Sequence, residues 1–330
     1  MKKPLDFVAV GDITTDAFIR IKDASVNCDI NREHCKLCFS FGEKIPYEFV
    51  EIVRAVGNSP NAAVSASRLG LEAGLISNMG SDLNGKECLR SLKKDGVDTS
   101  LVKKHKKAET NYHYVLWYEE ERTILIKHQQ YDYKFPDMPP PRWMYLSSLA
   151  ENSLPYHHEV AKWLKAHPET KLAFQPGTFQ IKLGSEQLAD IYSVSELFFC
   201  NVSEAKRILK TSERDIKKLL SGIHELGPKV AVITDGPNGA YAYDGKECWY
   251  MPMYPDPKPP FERTGAGDSF SSTFTAAMAL GLDVPTALMW GPVNSMSVVQ
   301  QIGAQKGLLT RKQLEKFLAE APADYKPKKL

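Results

Sequence analysis

Short apolar runs recur along this chain at intervals that leave room for a helix between them: 7–10, 73–78, 143–146, 171–174, 197–200 and 229–234. Most are apolar at consecutive rather than alternate positions, as strands are when both faces of their sheet are covered. Helical patterns lie in the gaps, at 60–69 and 86–95 among others. The pattern predicts an α/β fold, a doubly wound, mainly parallel sheet flanked by helices. Hydrophobic residues make up 43% of the 330, enough for the large core such a sheet needs. The first run is stopped by Gly11 and followed by a polar turn carrying Asp12, Thr14, Thr15 and Asp16, a place where α/β proteins put chemistry.

Two stretches interrupt the rhythm. Residues 111–133 read as two β-rich runs joined at Glu119-Glu120-Glu121, a hairpin rather than a strand–helix–strand unit, and 18–55 lacks helix periodicity over much of its length. Paired β excursions of this kind make a small sheet that projects over the main domain as a lid. The expected division is a core domain over 1–17, 56–110 and 134–330 and a β lid over 18–55 and 111–133. A small open lid sheet has edges to cover, which favours a homodimer formed through the lid.

Lys and Arg number 42 against 40 Asp and Glu, a net charge of +2 with no basic block, so neither nucleic acid nor a membrane is indicated as a partner. The partner expected is a small molecule. Asp6 and Asp12 interrupt the stretch a signal peptide would need, and no run of about 18 apolar residues occurs, so the expected location is the cytoplasm.

Two segments carry the chemistry. In 57–70, GNSPNAAVSASRLG, Ser59 suits a helix cap, Pro60 a first helical position and Gly70 a helix end. Gly57 permits close backbone approach, and Asn61 offers an amide to a polyhydroxylated ligand. In Thr264-Gly265-Ala266-Gly267-Asp268-Ser269-Phe270, two glycines precede an apolar, small-residue helix. Backbone N–H groups converge at such a helix start, and its dipole favours an anion there. Asp268 beside that anion hole can take a proton from an attacking hydroxyl while the amides hold charge on a transferred phosphoryl group. The dinucleotide fingerprint would need a third glycine where Phe270 stands, and a Walker A loop is absent.

At these residues the chain resembles the PfkB, or ribokinase-like, family of carbohydrate and nucleoside kinases, over nearly its whole length. The family's N-terminal signature is similar to 57–70 and its C-terminal signature to 264–270. Its NxxE motif resembles Asn201-Val202-Ser203-Glu204, and its nucleotide loop resembles Thr234-Asp235-Gly236. The resemblance implies that Asp268 is the catalytic base and that the amides of Gly265, Ala266 and Gly267 form the anion hole. It implies substrate binding by Asp16, with Asp12, Gly57 and Asn61 beside it. It also implies that Asn201 and Glu204 organise Mg²⁺ and phosphate through water, that Thr234 and Gly236 contact nucleotide phosphates, and that Asn294 borders the adenine. The reaction implied is in-line transfer of the γ-phosphoryl group of ATP to a hydroxymethyl group.

The chain departs from the family in places. Many members read Asp-Thr-Thr before the anion hole and bind an activating monovalent cation there; this chain reads Glu262-Arg263-Thr264, and Arg263 is open to three readings: filling the cation's role, contacting ATP or pointing to solvent. Val56 replaces a glycine and Pro60 stands in the substrate loop. Cys28, Cys35 and Cys38, with His34 alongside, fall in the lid, where they admit a structural zinc; free or buried thiols are the favoured alternative. The aromatics Tyr112, Tyr114, Trp117 and Tyr118 suit a stacking surface, a packed hairpin or a dimer contact.

The favoured function is a sugar kinase of ribokinase or fructokinase type. A nucleoside kinase of adenosine, inosine, guanosine or cytidine type is the alternative, its base pocket drawn from residues 112–118, Phe174 and Phe179. A ligand-binding sensor without turnover is a third, against which the intact Gly-Ala-Gly-Asp argues. Sugar phosphates are disfavoured as substrates, since Lys103, Lys104, Lys106 and Lys107 read as a solvated run.

Overall fold

A computed structural model describes residues 4–28, 35–119 and 121–330. Ten strands form the main sheet. Seven run parallel, in the spatial order Val102–His105, Ala73–Gly80, Phe7–Val10, Trp143–Leu146, Lys171–Phe174, Ser195–Asn201 and Val230–Thr234. Ala240–Tyr243, Cys248–Met251 and Lys328–Lys329 extend it antiparallel.

Consecutive apolar residues make sense here because each strand feeds two cores. Phe7 and Ala9 point into one, packed with Val64, Leu92, Phe274 and Val293 from helices on that face. Val8 and Val10 point into the other, with Val160, Ile191, Ile208 and Leu219. The helices Asn58–Arg68, Leu83–Lys94, Ala266–Ala279 and Val284–Val298 thus cover one side, and Leu154–Ala166, Ala189–Val194, Val202–Ile208 and Ile216–Glu225 the other.

From Phe7–Val10 the chain first builds outward on one side, to Ala73–Gly80 and Val102–His105, then returns to lay Trp143–Leu146 on the other side of the first strand. That reversal opens a crevice at the carboxyl ends of these strands, where open α/β sheets bind ligands.

A second sheet has the order Tyr47–Val56, Thr14–Ile21, Asn111–Tyr118, Glu121–Leu125. Thr14 and Asp16 therefore belong to a strand; the turn after Phe7–Val10 is shorter than the polar run suggested, because pairing with Tyr47–Val56 and Asn111–Tyr118 reaches back to Thr14. Along Asn111–Tyr118 the residues Asn111, His113, Val115 and Trp117 are buried, whereas Tyr112, Tyr114, Leu116 and Tyr118 alternate to the opposite face. On that outer face Val50, Ile52, Tyr114 and Leu125 are exposed.

A small hairpin, Ser25–Asn27 with Lys36–Cys38, carries the cysteines. Cys28 and Cys35 are joined in a disulfide, and Cys38 Sγ accepts from Asn27 Nδ2 at 3.5 Å. This corrects the zinc expectation: two of the three sulfurs have no thiolate to give a metal. His34 lies outside the described residues.

Candidate active site

The helix Ala266–Ala279 begins at Gly265, whose φ of 82° is left-handed. A Cβ there would also lie 2.3 Å from the Ala304 Cβ, so both backbone and space require glycine. The first helical bond runs from Ser269 N–H to the Gly265 carbonyl at 2.8 Å, which leaves the N–H groups of Gly267 and Asp268 without helical acceptors. Ala266 N–H makes only a long bond, 3.4 Å, to the Arg263 carbonyl. Nothing lies within 4 Å of where a Gly267 Cβ would stand. The positive end of the helix thus opens onto free space, an anion site by construction.

Asp268, in the first turn, is held by three side-chain amides. Asn58 Nδ2 donates to Oδ1 at 2.8 Å, Asn61 Nδ2 to Oδ2 at 2.8 Å, and Gln175 Nε2 to Oδ1 at 3.1 Å. Two of the amides are themselves oriented. The Gln175 carbonyl accepts from the Tyr145 hydroxyl and from Ser271 Oγ at 3.1 Å, so its NH₂ must face the carboxylate. The Asn61 carbonyl accepts from Gln305 Nε2 at 3.0 Å. Burial pushes the Asp268 carboxyl above the usual range, while the bonds from Asn61, Gln175 and Asn58 and the charge of Arg122 pull it back. The result is an oriented carboxylate of raised basicity beside an anion hole, able to take a proton from a hydroxyl.

Asn61 therefore corrects its sequence reading. Both ends of its amide are spent on Asp268 and Gln305, so it positions the carboxylate rather than meeting a ligand directly. Gly57, not Ser59, caps the helix; the Ser59 hydroxyl donates to the Val10 carbonyl at 2.7 Å instead. Gly57 has φ 115°, and a Cβ would fall 2.7 Å from the Asp12 carbonyl, so the close approach it permits is to Asp12. Asn58 and Gln175 were missed by sequence reasoning. Asn58 and Asn61 share one helix face by their spacing, and Gln175 follows a strand's carboxyl end, both legible signals.

The crevice at the sheet's reversal carries a second polar group. Asp12 Oδ2 accepts from the Tyr133 hydroxyl at 2.7 Å and from Ala150 N–H at 3.0 Å. The nearby Asp12 charge adds to burial in raising the Tyr133 phenol well above its ordinary range. His113 Nδ1 lies 3.3 Å from Asp16 Oδ1, paired by the register of their strands, and His128 Nδ1 lies 3.8 Å from Asp12 Oδ2. The two imidazoles are 5.0 Å apart, and Phe179 meets His128 edge to face. Asp12 Oδ1, Asp16 Oδ1, His113 Nε2 and His128 Nδ1 are buried and make no hydrogen bond among the described residues. Such a set, donors and acceptors around one space, suits a ligand rich in hydroxyls. No local sequence signal marks His113 or His128.

On the far side of the anion hole, Asn201 and Glu204 close a capping box. Asn201 Oδ1 accepts from Glu204 N–H, and Glu204 Oε2 accepts from Asn201 N–H, both at 2.9 Å. Burial raises the Glu204 carboxyl, and the Asp268 charge adds to it. Thr234 ends its strand, and Gly236, with φ 51°, turns the chain. Asn201, Lys206, Thr234, Gly236 and Asn238 line one cavity of about 500 Å³. Asn294 departs from expectation: fully buried, its amide donates to Thr273 Oγ1 at 2.7 Å and accepts from Leu309 N–H at 2.9 Å, which ties helix to chain instead of facing a ligand. Phe174 likewise packs in the core against Tyr192 and Phe198, not in a base pocket.

Among the described residues no cluster of three or more His, Cys, Asp or Glu is placed to bind a metal directly. The residues are compatible with a hydrated divalent cation, since the Asp268 charge reaches Glu204 and a cation held through water needs no vacant carboxylate oxygen. No helix among the described residues is long and apolar enough to cross a membrane.

Residues 35–311 match the model of the pfkB family of carbohydrate kinases. The chain is 25% identical over 269 residues to a ribokinase of Bacillus subtilis (strain 168), covering 80% of this chain and 87% of that one. It is also 25% identical over 269 residues to a nucleoside kinase of Methanothermobacter thermautotrophicus, covering 80% and 84%. The solved structure of Arabidopsis thaliana ribokinase complexed with ribose and ATP superposes with a TM-score of 0.79 over 96% of this chain and 99% of that one, at 19% identity. The chain belongs to the pfkB carbohydrate kinase family and is a small-molecule kinase, a phosphotransferase with a hydroxyl group as acceptor.

Proposed function

We propose that the chain transfers the γ-phosphoryl group of ATP to a primary hydroxyl of a sugar, with Asp268 as the catalytic base. The observation that carries this reading is the Asp268 carboxylate, fixed by Asn58, Asn61 and Gln175 at the open start of an anion-binding helix. Asp16, Asp12, His113 and His128 hold the sugar hydroxyls so that one of them faces Asp268. The Asp268 carboxylate takes that hydroxyl's proton as its oxygen attacks the γ-phosphorus, and the bond from phosphorus to the bridging oxygen breaks to release ADP. The N–H groups at the start of Ala266–Ala279 meet the charge spread over the transferring group. Asn201, Glu204, Thr234 and Gly236 line the side on which the nucleotide phosphates lie. Mg²⁺ held through water by Glu204 supplies further neutralisation of phosphate charge when bound.

A sugar is favoured over a nucleoside by the faces of the lid strand. Of the aromatics a base pocket would draw on, Tyr112, Tyr114 and Tyr118 alternate away from His113 and Phe174 packs in the core, which leaves Trp117, engaged with Phe261, and Phe179 beside His128. The two β excursions act as a lid over the core domain, with the lid and core spanning the segments read from the sequence. Two lids pair through the exposed Val50, Ile52, Tyr114 and Leu125 to make a homodimer. A cytoplasmic location is supported by four free cysteines; the Cys28–Cys35 disulfide runs against it, and it sits on an exposed hairpin open to thiol exchange.

ADP release from Mg-ATP against pentoses, ketohexoses and nucleosides, run beside Asp268→Asn, tests the reading. Turnover on a sugar, reduced about 10²- to 10⁴-fold in the variant, is the expected result. Turnover on nucleosides alone overturns the sugar assignment. Thermal stabilisation by a sugar without any turnover returns the protein to a sensor role.

A further inference from the structure

Glu262 lies at the position where many relatives carry the carboxylate of a monovalent-cation site, six residues before the catalytic aspartate. Its side chain is 3% exposed, and a buried carboxylate needs a counter-charge. One of its oxygens, Oε1, is crowded. Oε1 accepts from Thr264 N–H at 2.6 Å and from the Thr264 hydroxyl, and Oε2 faces Gly303 N–H at 3.4 Å. The guanidinium of Arg122 completes the set, with Nη1 3.6 Å from Oε1. Oε1 is crowded by the two Thr264 donors, and the Arg122 guanidinium 3.6 Å away already supplies the positive charge, so an alkali ion at this carboxylate would meet a like charge. The donor set does not fit the cation the family implies.

Arg122 comes from the lid. It stands on Glu121–Leu125 opposite Trp117, and Trp117 meets Phe261, the neighbour of Glu262, edge to face at 5.1 Å. On the same side Gly303 abuts Val53, a residue of the lid strand Tyr47–Val56. Lid and anion-hole loop are thus locked at three adjacent points. Arg122 also lies close enough to Asp268 to lower its pKa, and its Nε is buried with no hydrogen-bond partner among the described residues. Arg263, the candidate read from the sequence, is exposed, and its charge falls on Asp256 instead.

We propose that Arg122 is the built-in cation of this site: its ion pair with Glu262 replaces the monovalent ion of other family members and arrives only when the lid is seated. The inference rests on the kinase reading for its catalytic consequence, but the cation exchange itself can be read without turnover. A guanidinium that neutralises Glu262 makes added potassium superfluous, and removing it exposes a carboxylate that potassium can then serve.

The test compares the full-length wild type, Arg122→Gln and Arg122→Lys in about 0.1 M KCl and in choline chloride of equal ionic strength. Thermal unfolding is followed first, with KCl and choline chloride as the only probes. The expected result is a wild-type midpoint that does not respond to the exchange, an Arg122→Gln midpoint raised several degrees by KCl, and a smaller response in Arg122→Lys, which keeps a charge. ADP release with Mg-ATP and D-ribose is followed in parallel. There the wild type is expected to change less than about twofold, whereas Arg122→Gln falls about tenfold or more and recovers in KCl or guanidinium chloride. A wild type stabilised or activated by KCl overturns the proposal, as does an Arg122→Gln protein indifferent to KCl. If no acceptor yields ADP, the kinase reading fails while the unfolding shifts still decide the role of Arg122.

Discussion

Asn58 Nδ2 donates to Asp268 Oδ1 at 2.8 Å, joining the start of one helix to the start of another across 210 residues of sequence. One helical turn on, Asn61 reaches the other carboxylate oxygen. These bonds and that of Gln175 favour the ionised carboxylate and oppose the burial that raises its pKa. Gln175→Met removes one donor, so the pKa rises and a higher pH is needed to ionise the base. The acid limb of the kcat/KM profile is expected to move to higher pH by about one unit. A limb that stays in place would show that Asp268 is not the group it reports.

Asp16 Oδ1 lies 3.3 Å from His113 Nδ1, and among the described residues neither that oxygen nor His113 Nε2 makes a hydrogen bond, which leaves both available to the acceptor we propose. Asp16→Asn keeps the shape of the carboxylate and removes its charge. Its KM for the acceptor is expected to rise about 10- to 100-fold, the size of a lost charge-assisted hydrogen bond, with KM for ATP little changed. Steady-state kinetics with each substrate varied separately distinguishes this from general damage.

His157 is fully buried on the helix Leu154–Ala166, its Nδ1 2.7 Å from the Ser153 carbonyl and its Nε2 without a partner. Burial pushes its pKa down to about 4, against an ordinary value of 6.5. Between those values the unfolded chain binds a proton that the folded chain refuses, so stability is present above pH 6.5 and is lost as pH falls towards 4. The loss amounts to about 3 kcal/mol. Denaturant melts of wild type and His157→Met at pH 7 and pH 4.5 measure it; the variant is expected to lose clearly less over that interval.

The outer lid face carries Ile52 and Leu125 at the surface, one on each side of the sheet's two central strands. If two lids pair there, the double variant Ile52→Lys with Leu125→Lys is expected to convert dimer to monomer in multi-angle light scattering. A wild type already monomeric at tens of micromolar removes the homodimer from the account.

Strands such as Phe7–Val10 and Trp143–Leu146 could be read from the sequence to the residue, because burial on both faces makes every position apolar. The antiparallel strands Ala240–Tyr243 and Cys248–Met251 were not read, since each is only four residues long and Ala-Tyr-Ala-Tyr, though it alternates, lacks the apolar run that marks the parallel strands. The anion-hole segment announced itself by two glycines and an aspartate within four positions. The partners of that aspartate could be placed but not assigned: Asn61 reads as a ligand contact, and the positions of Asn58 and Gln175 are legible only as a helix face and a strand end, because an amide's role depends on what lies across space. Gln175 acquires its orientation only when Tyr145 and Ser271 arrive from other parts of the fold. His113 and His128 look like any surface histidines until the lid strands set them over Asp12 and Asp16. Ser59 misled for the opposite reason: it has the chemistry of a cap but was drawn away by the Val10 carbonyl.

The three amides that hold Asp268 come from residues 58, 61 and 175, and the glutamine that holds Asn61 in turn is residue 305. Nothing local keeps the carboxylate aimed. The aim of the carboxylate is therefore a property of the finished fold: if Asp268 is the proton acceptor we propose, loosening the helices against the sheet is expected to remove activity while leaving the local glycine turn in place.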